Sequence, residues 1–136
     1  MNLYYNQSYS RKEIANMLTL VQECIKCGMY TISMNANRQE NIAFINEYNL
    51  RSEKIKEILK NLTVEDFCHT LQNTKAGYEN EVLYVFVPQV RLFEADGEGV
   101  VVDIYIKINM LDTLRGNRTV VISFHKRNKP IQYAFK

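Results

Sequence analysis

From Val100 to Met110 the chain alternates without a break: Val100, Val102, Ile104, Ile106 and Ile108 fall on one side, Asp103, Tyr105, Lys107 and Asn109 on the other. Only an extended strand separates side chains with a period of two. The segment therefore commits the chain to a sheet with one apolar and one polar face. Thr119 to His125 repeats the pattern, with Val120, Ile122 and Phe124 predicted inward and Thr119, Ser123 and His125 outward. A third, less regular strand is predicted over Glu81 to Phe93, where Pro88 marks an edge or a bulge. Asp96-Gly97-Glu98-Gly99 reads as the turn into the long strand, and Arg115-Gly116-Asn117 lies in the link to the last one.

Before Gly77 the period is helical. Ile14, Met17, Leu18, Val21, Cys24 and Ile25 recur at three- and four-residue spacing; Ser10 with Glu13 is a capping box and Gly28 a stop. A second helix is expected from Asn37, with Glu40 as its capping partner and Ile42, Ile45 and Tyr48 inward. A third follows Ser52, burying Ile55, Ile58, Leu59 and Leu62. Thr63 with Asp66 predicts a fourth helical start running through Phe67 and His69 to about Gln72. Tyr4, Tyr5 and Tyr9 read as a packing arm. The expectation is an α+β fold: N-terminal helices on one face of a C-terminal antiparallel sheet of three or slightly more strands, in a single domain over residues 1–136, since two cores in 136 residues would each be marginal.

No apolar run approaches the roughly 18 to 20 residues needed to span a bilayer, and the first residues lack a signal-peptide core, so a cytoplasmic location is expected. Three cysteines do not make a disulfide framework. Cys24 and Cys27, with Cys68 and His69, have zinc-like spacing, but the helical stripe claims Cys24, and no metal or cofactor is expected. Phosphate-cradling glycine loops, clustered carboxylates and nucleophile elbows are missing, which argues against nucleotide hydrolases, metal-dependent nucleases and α/β-hydrolases.

The formal net charge of +2 hides an asymmetry. Residues 113–136 carry six basic side chains and no acid; residues 1–112 hold 11 Lys/Arg against 15 Asp/Glu, a balance of −4. A basic end on an acidic body suits contact with a polyanion. An antiparallel sheet with helices on one side leaves the other side in water. That open face would present Asp103, Tyr105, Lys107, Asn109, Ser123 and His125, with Gln89 and Arg91 alongside. Tyr, Lys, Arg and His on one surface suit a phosphodiester, the cations holding phosphate and an imidazole moving protons; from the pattern alone, a solvated sheet face of ordinary β-formers is the better reading, since exposed faces are expected to be polar. The only two histidines are His69 and His125.

Lys54-Ile-Lys-Glu-Ile-Leu, Leu62-Thr-Val-Glu-Asp-Phe, Asp103-Ile-Tyr-Ile-Lys-Ile and Val120-Val-Ile-Ser-Phe, in this order and spacing, resemble the MqsR family of bacterial toxins, mRNA interferases of the RelE-like fold. The likeness runs from about Ser10 to His125. It implies a metal-independent endoribonuclease that cleaves single-stranded mRNA and is held in check by a cognate antitoxin, for instance a helix-turn-helix protein; whether the ribosome is needed stays open. It places a catalytic tyrosine at Tyr105 and sets His69 and His125 where the family has lysines, so acid–base work falls to two imidazoles. Lys107 would stabilise phosphorane charge, with Arg91, Lys126 and Arg127 binding RNA. A family glutamine finds no counterpart near Glu81 or Leu83. The other reading of the same fold is a non-catalytic RNA- or protein-binding module.

Overall fold

The computed structural model describes residues 5–78, 80–94 and 96–136; Tyr4 of the expected packing arm lies outside them. They form an α+β fold of three α-helices and a mixed six-stranded sheet. Helix α1 (Arg11–Lys26) has the expected capping box, with the Glu13 amide donating to Ser10 and the Ser10 amide to Glu13, and the chain leaves it through Gly28 at φ +74°. Its stripe from Ile14 to Ile25 is buried as read. A short strand, β1 (Tyr30–Ile32), leads to α2 (Gln39–Glu47) and α3 (Ser52–Lys60).

The helical part departs from expectation in several places. Asn35, not Asn37, provides the cap, accepting from the Asn37 amide at the start of a single 3-10 turn, so α2 begins only at Gln39. Its buried positions are Asn41, Phe44 and Tyr48, while Ile42 and Ile45 are half-buried. The capping box at Thr63 and Asp66 forms, but it closes one 3-10 turn, Val64–Asp66, and the chain then extends as β2 (Phe67–Gln72). His69 therefore stands on a strand. Phe67, Cys68, His69 and Thr70 are all buried there, a continuous run that suits a strand covered on both faces better than an amphipathic helix.

The sheet is larger than expected and not wholly antiparallel. Val82–Phe86 (β3) and Gln89–Phe93 (β4) are two parts of one run antiparallel to β5 (Gly99–Thr113): Phe86 opposes Ile106 and Gln89 opposes Asp103, so the register passes straight through Pro88. The turn from β4 to β5 is held by the Glu98 carbonyl accepting from Glu94 and by Gly97 at φ +88°. Leu114 and Arg115 form a tight two-residue link to β6 (Gly116–Lys126), shorter than expected. β2 pairs with β3, and β1 runs parallel to β6, giving the order β1-β6-β5-β3-β2. The main core lies between the helices and one face, where Phe67, Phe86, Ile104, Ile106, Ile108, Val121 and Phe124 meet Ile14, Val21, Ile25 and Leu59.

Among the described residues no helix is long and apolar enough to cross a membrane.

Candidate functional site

Two β-bulges determine which side chains reach the face turned away from the helices. In β6, Lys107 pairs with Ser123 but Ile108 pairs with Val121, leaving Ile122 as the extra residue. The slip inverts the alternation that the sequence suggests. Thr119 and Val121 are fully buried ahead of the bulge, with Val121 in the main core, and Phe124 joins that core after it. Ser123 and His125 keep the expected side; Thr119 does not. Asn41 holds the slip in place: its amide donates to the carbonyls of Ser33 at 2.9 Å and Ile122 at 3.0 Å, and its oxygen accepts from the Phe124 amide at 2.9 Å. In β2, Phe67 pairs with Phe86 and His69 with Val85, so Cys68 is the extra residue.

The far face is thus read directly from the register. His69, Val85, Lys107 and Ser123 follow one another across β2, β3, β5 and β6, and Tyr105 opposes His125 two residues along. All of His69, Tyr105, Lys107 and His125 share this side. The two histidines stand three strand spacings apart across the sheet and two residues apart along it, about 16 Å between backbones. Each ring stacks on a different tyrosine: His69 on Tyr5, with centroids 3.8 Å apart and planes within 4°, and His125 on Tyr105 at 5.5 Å.

This face is not the open polar surface that the sequence suggests. The segment after β6 folds back over it: Ile131 and Tyr133 pack on a second apolar cluster of Cys68, Val85, Val87 and Tyr105. The Tyr133 hydroxyl donates to the Val87 carbonyl at 2.7 Å, and the Ala134 amide to the Phe67 carbonyl at 3.1 Å. Gln7 clamps the segment, donating to the carbonyls of Cys68 and Gln132. Asn6 bridges to Thr70 beside β2, so the N-terminal arm does pack, though against the strand edge. As a result His69 is 1% exposed, Tyr105 3% and His125 9%.

Electrostatics divide the expected RNA-binding cations. Lys126 points to the helix side, bound to Glu47 at 2.8 Å, and Arg127 pairs with Asp103 at 3.1 Å. Arg91 lies on exposed β4, remote from the histidines. Lys107 is half-buried, and neither it nor Lys129 forms an ion pair among the described residues; the Lys129 ammonium sits 5.0 Å from the centre of the Tyr105 ring. Burial, with Arg38 and Lys129 nearby, lowers the Lys107 pKa. Burial and then Lys129 bring His69 down to about 4, so this ring is neutral at pH 7. Burial, with Tyr5 and Cys68 adding, pushes the Tyr105 phenol up to about 12, which keeps it a donor. The His125 Nδ1 lies 2.8 Å from the Lys126 carbonyl, which can only accept, so the neutral ring carries its proton on Nδ1 and its lone pair on Nε2. Glu40 is 3.9 Å from the same nitrogen.

Arg38, Asn41 and Lys129 were not singled out by the sequence, and Tyr5 was read only as part of a packing arm. Asn41 could have been: with Phe44 and Tyr48 it completes a three- and four-residue stripe whose first member is polar. Lys129 belongs to the basic end but carries no local signal, and Arg38 carries none. Cys24 donates its thiol to the Asn117 carbonyl, and among the described residues no three His, Cys, Asp or Glu side chains are gathered as metal ligands.

The fold and face together define an α+β protein with a donor-rich, partly roofed sheet surface. No protein-family model, curated protein or solved structure matches the chain.

Proposed function

We propose that the chain is a metal-independent endoribonuclease of the RelE-like, MqsR kind, acting in the cytoplasm on single-stranded mRNA and restrained by a cognate antitoxin. The observation that carries this reading is the convergence of Tyr105, His125 and Lys107 on one side of the β5–β6 pair, with Lys107 and Lys129 lacking an acidic partner among the described residues. The helix-on-one-face arrangement and the position of all three resemblance-derived residues on the opposite face support it.

In this mechanism His125 Nε2 takes the proton of a ribose 2′-hydroxyl, and Glu40 favours the imidazolium that results. The 2′-oxygen bonds to phosphorus, the phosphorus–5′-oxygen bond breaks, and a 2′,3′-cyclic phosphate and a 5′-hydroxyl remain. Tyr105, stacked on the His125 ring, holds that ring in place, and Lys107 neutralises the phosphorane. Its lowered pKa also makes Lys107 the better proton donor to the leaving oxygen. His69, neutral near pH 7, is not the acid.

The test is purified protein, freed of any partner, on 5′-labelled single-stranded RNA with chelator, alone and with translating ribosomes. Cyclic-phosphate ends are expected, and His125→Ala is expected to slow cleavage about a hundredfold or more. Intact RNA under both conditions overturns the reading. A second reading is favoured by the cover that Ile131 and Tyr133 place over Tyr105: a module that holds RNA or a protein partner without cutting. RNA retained but uncut in the same assay selects it.

A further inference from the structure

The covered side of the face contains two polar atoms with no visible purpose. His69 Nε2 and the Tyr105 hydroxyl are the only buried side-chain nitrogen or oxygen atoms among the described residues that lack a hydrogen-bond partner. Buried polar groups are nearly always paired in folded proteins, so such orphans point to something they are built to hold. They occupy one side of the sheet, on β2 and β5, with only β3 between. Tyr5, stacked flush on His69, fixes that ring's plane.

What surrounds them selects the ligand. Lys129 lies over the Tyr105 ring and is close enough to His69 to disfavour its charged form; Lys107 stands in the same cross-strand row as His69. Of the nearby carboxylates, Asp103 is paired with Arg127 and hydrogen-bonded by Gln89, and Glu40, held by Asn128, lies beside His125 rather than His69. This part of the face therefore offers a hydroxyl donor, an imidazole nitrogen able to donate and two ammonium groups that form no ion pair among the described residues. A phosphate group supplies the negative charge and the several acceptor oxygens that this set lacks.

We infer that the covered part of the far face between β2 and β5, next to Lys129, opens to form a binding subsite for a phosphate-class oxyanion, with the segment after β6 supplying one of its cations. The inference rests on the proposed nuclease reading only for its use: there the subsite holds an RNA phosphate other than the scissile one, which sits at His125. Inorganic phosphate alone probes it.

The full chain, with its two histidines labelled in the ring nitrogens, is titrated with sodium phosphate at pH 7.5 against sodium chloride at matched ionic strength. The His69 resonance is identified by its loss in His69→Phe. A saturable movement of the His69 signal with phosphate and none with chloride is expected. Lys129→Met, at an exposed position, and Tyr105→Phe, checked for folding by circular dichroism, are each expected to weaken the response about tenfold. A silent His69 through the millimolar range, meaning that the orphans hold only water, overturns the inference. So does an equal response in Lys129→Met. RNA cleavage with a silent His69 removes the subsite and leaves the nuclease; saturable phosphate binding with uncut RNA does the reverse.

Discussion

Asn41 shows how much one side chain determines. It sits on a helix yet satisfies three backbone groups at the β6 bulge and the end of β1, and through that bulge it sets the side on which Ser123 and His125 emerge. Asn41→Ala leaves the Phe124 amide and two carbonyls without those partners in a buried setting, and a loss of about 2–4 kcal/mol is expected as a lower urea midpoint. His69 makes a second prediction at this scale. Its pKa falls from 6.5 in the unfolded chain to about 4 in the fold, so below about 6.5 the unfolded state binds the extra proton. Stability is then full above that range and is lost as pH falls toward 4, by about 2 kcal/mol between pH 7 and pH 5. Denaturation at the two pH values checks this, and His69→Phe is expected to lose most of the difference. Tyr105 and Lys107 were legible in the sequence because strict alternation assigns a face. The strand setting of His69 was not, because a real capping box stood just before it and local signals do not report how far a helical turn continues.

Among elements, the bulges and the segment after β6 explain the remaining disagreement with the sequence. A bulge adds one residue and reverses a face without changing composition, so Val120 to His125 reads as a uniform strand when it is two half-strands out of phase. The 127–135 segment has no helical or strand period; it is fixed by contacts with β2 and β3 that are far away in sequence. Thiol chemistry measures that attachment. Cys27 is exposed, whereas Cys24 and Cys68 are buried, and the Cys68 thiol is pushed up to about 12 by burial. Tyr133→Ala removes both the ring packed on the second cluster and the hydrogen bond to Val87. Labelling of Cys68 is expected to accelerate about tenfold or more, through local opening. Cys24, on the helix side, stays protected and so reports that the variant remains folded.

At the level of the whole molecule, the basic end read from the sequence is real in composition but divided in space. Lys126 and Arg127 are neutralised in place by Glu47 and Asp103, leaving Lys107 and Lys129 on the far face without ion pairs among the described residues. Single-stranded RNA binding is therefore expected to weaken with salt, and Lys107→Ala or Lys129→Ala to reduce the log–log slope by about 0.7 each, while Lys126→Ala changes it little. Fluorescence anisotropy over a potassium chloride series reads this directly. The clamp of Gln7 on Cys68 and Gln132 has a different consequence, one of timing. Tyr5, Asn6 and Gln7 are made well before β2, yet they settle on it, and Gln7 also on a partner made more than a hundred residues later. β1 likewise waits for β6. A nascent chain can form α1 early, but the surface bearing Tyr105 and His125 has no complete form until residues as late as Ala134 have emerged. That surface is therefore among the last parts of the described fold to be assembled.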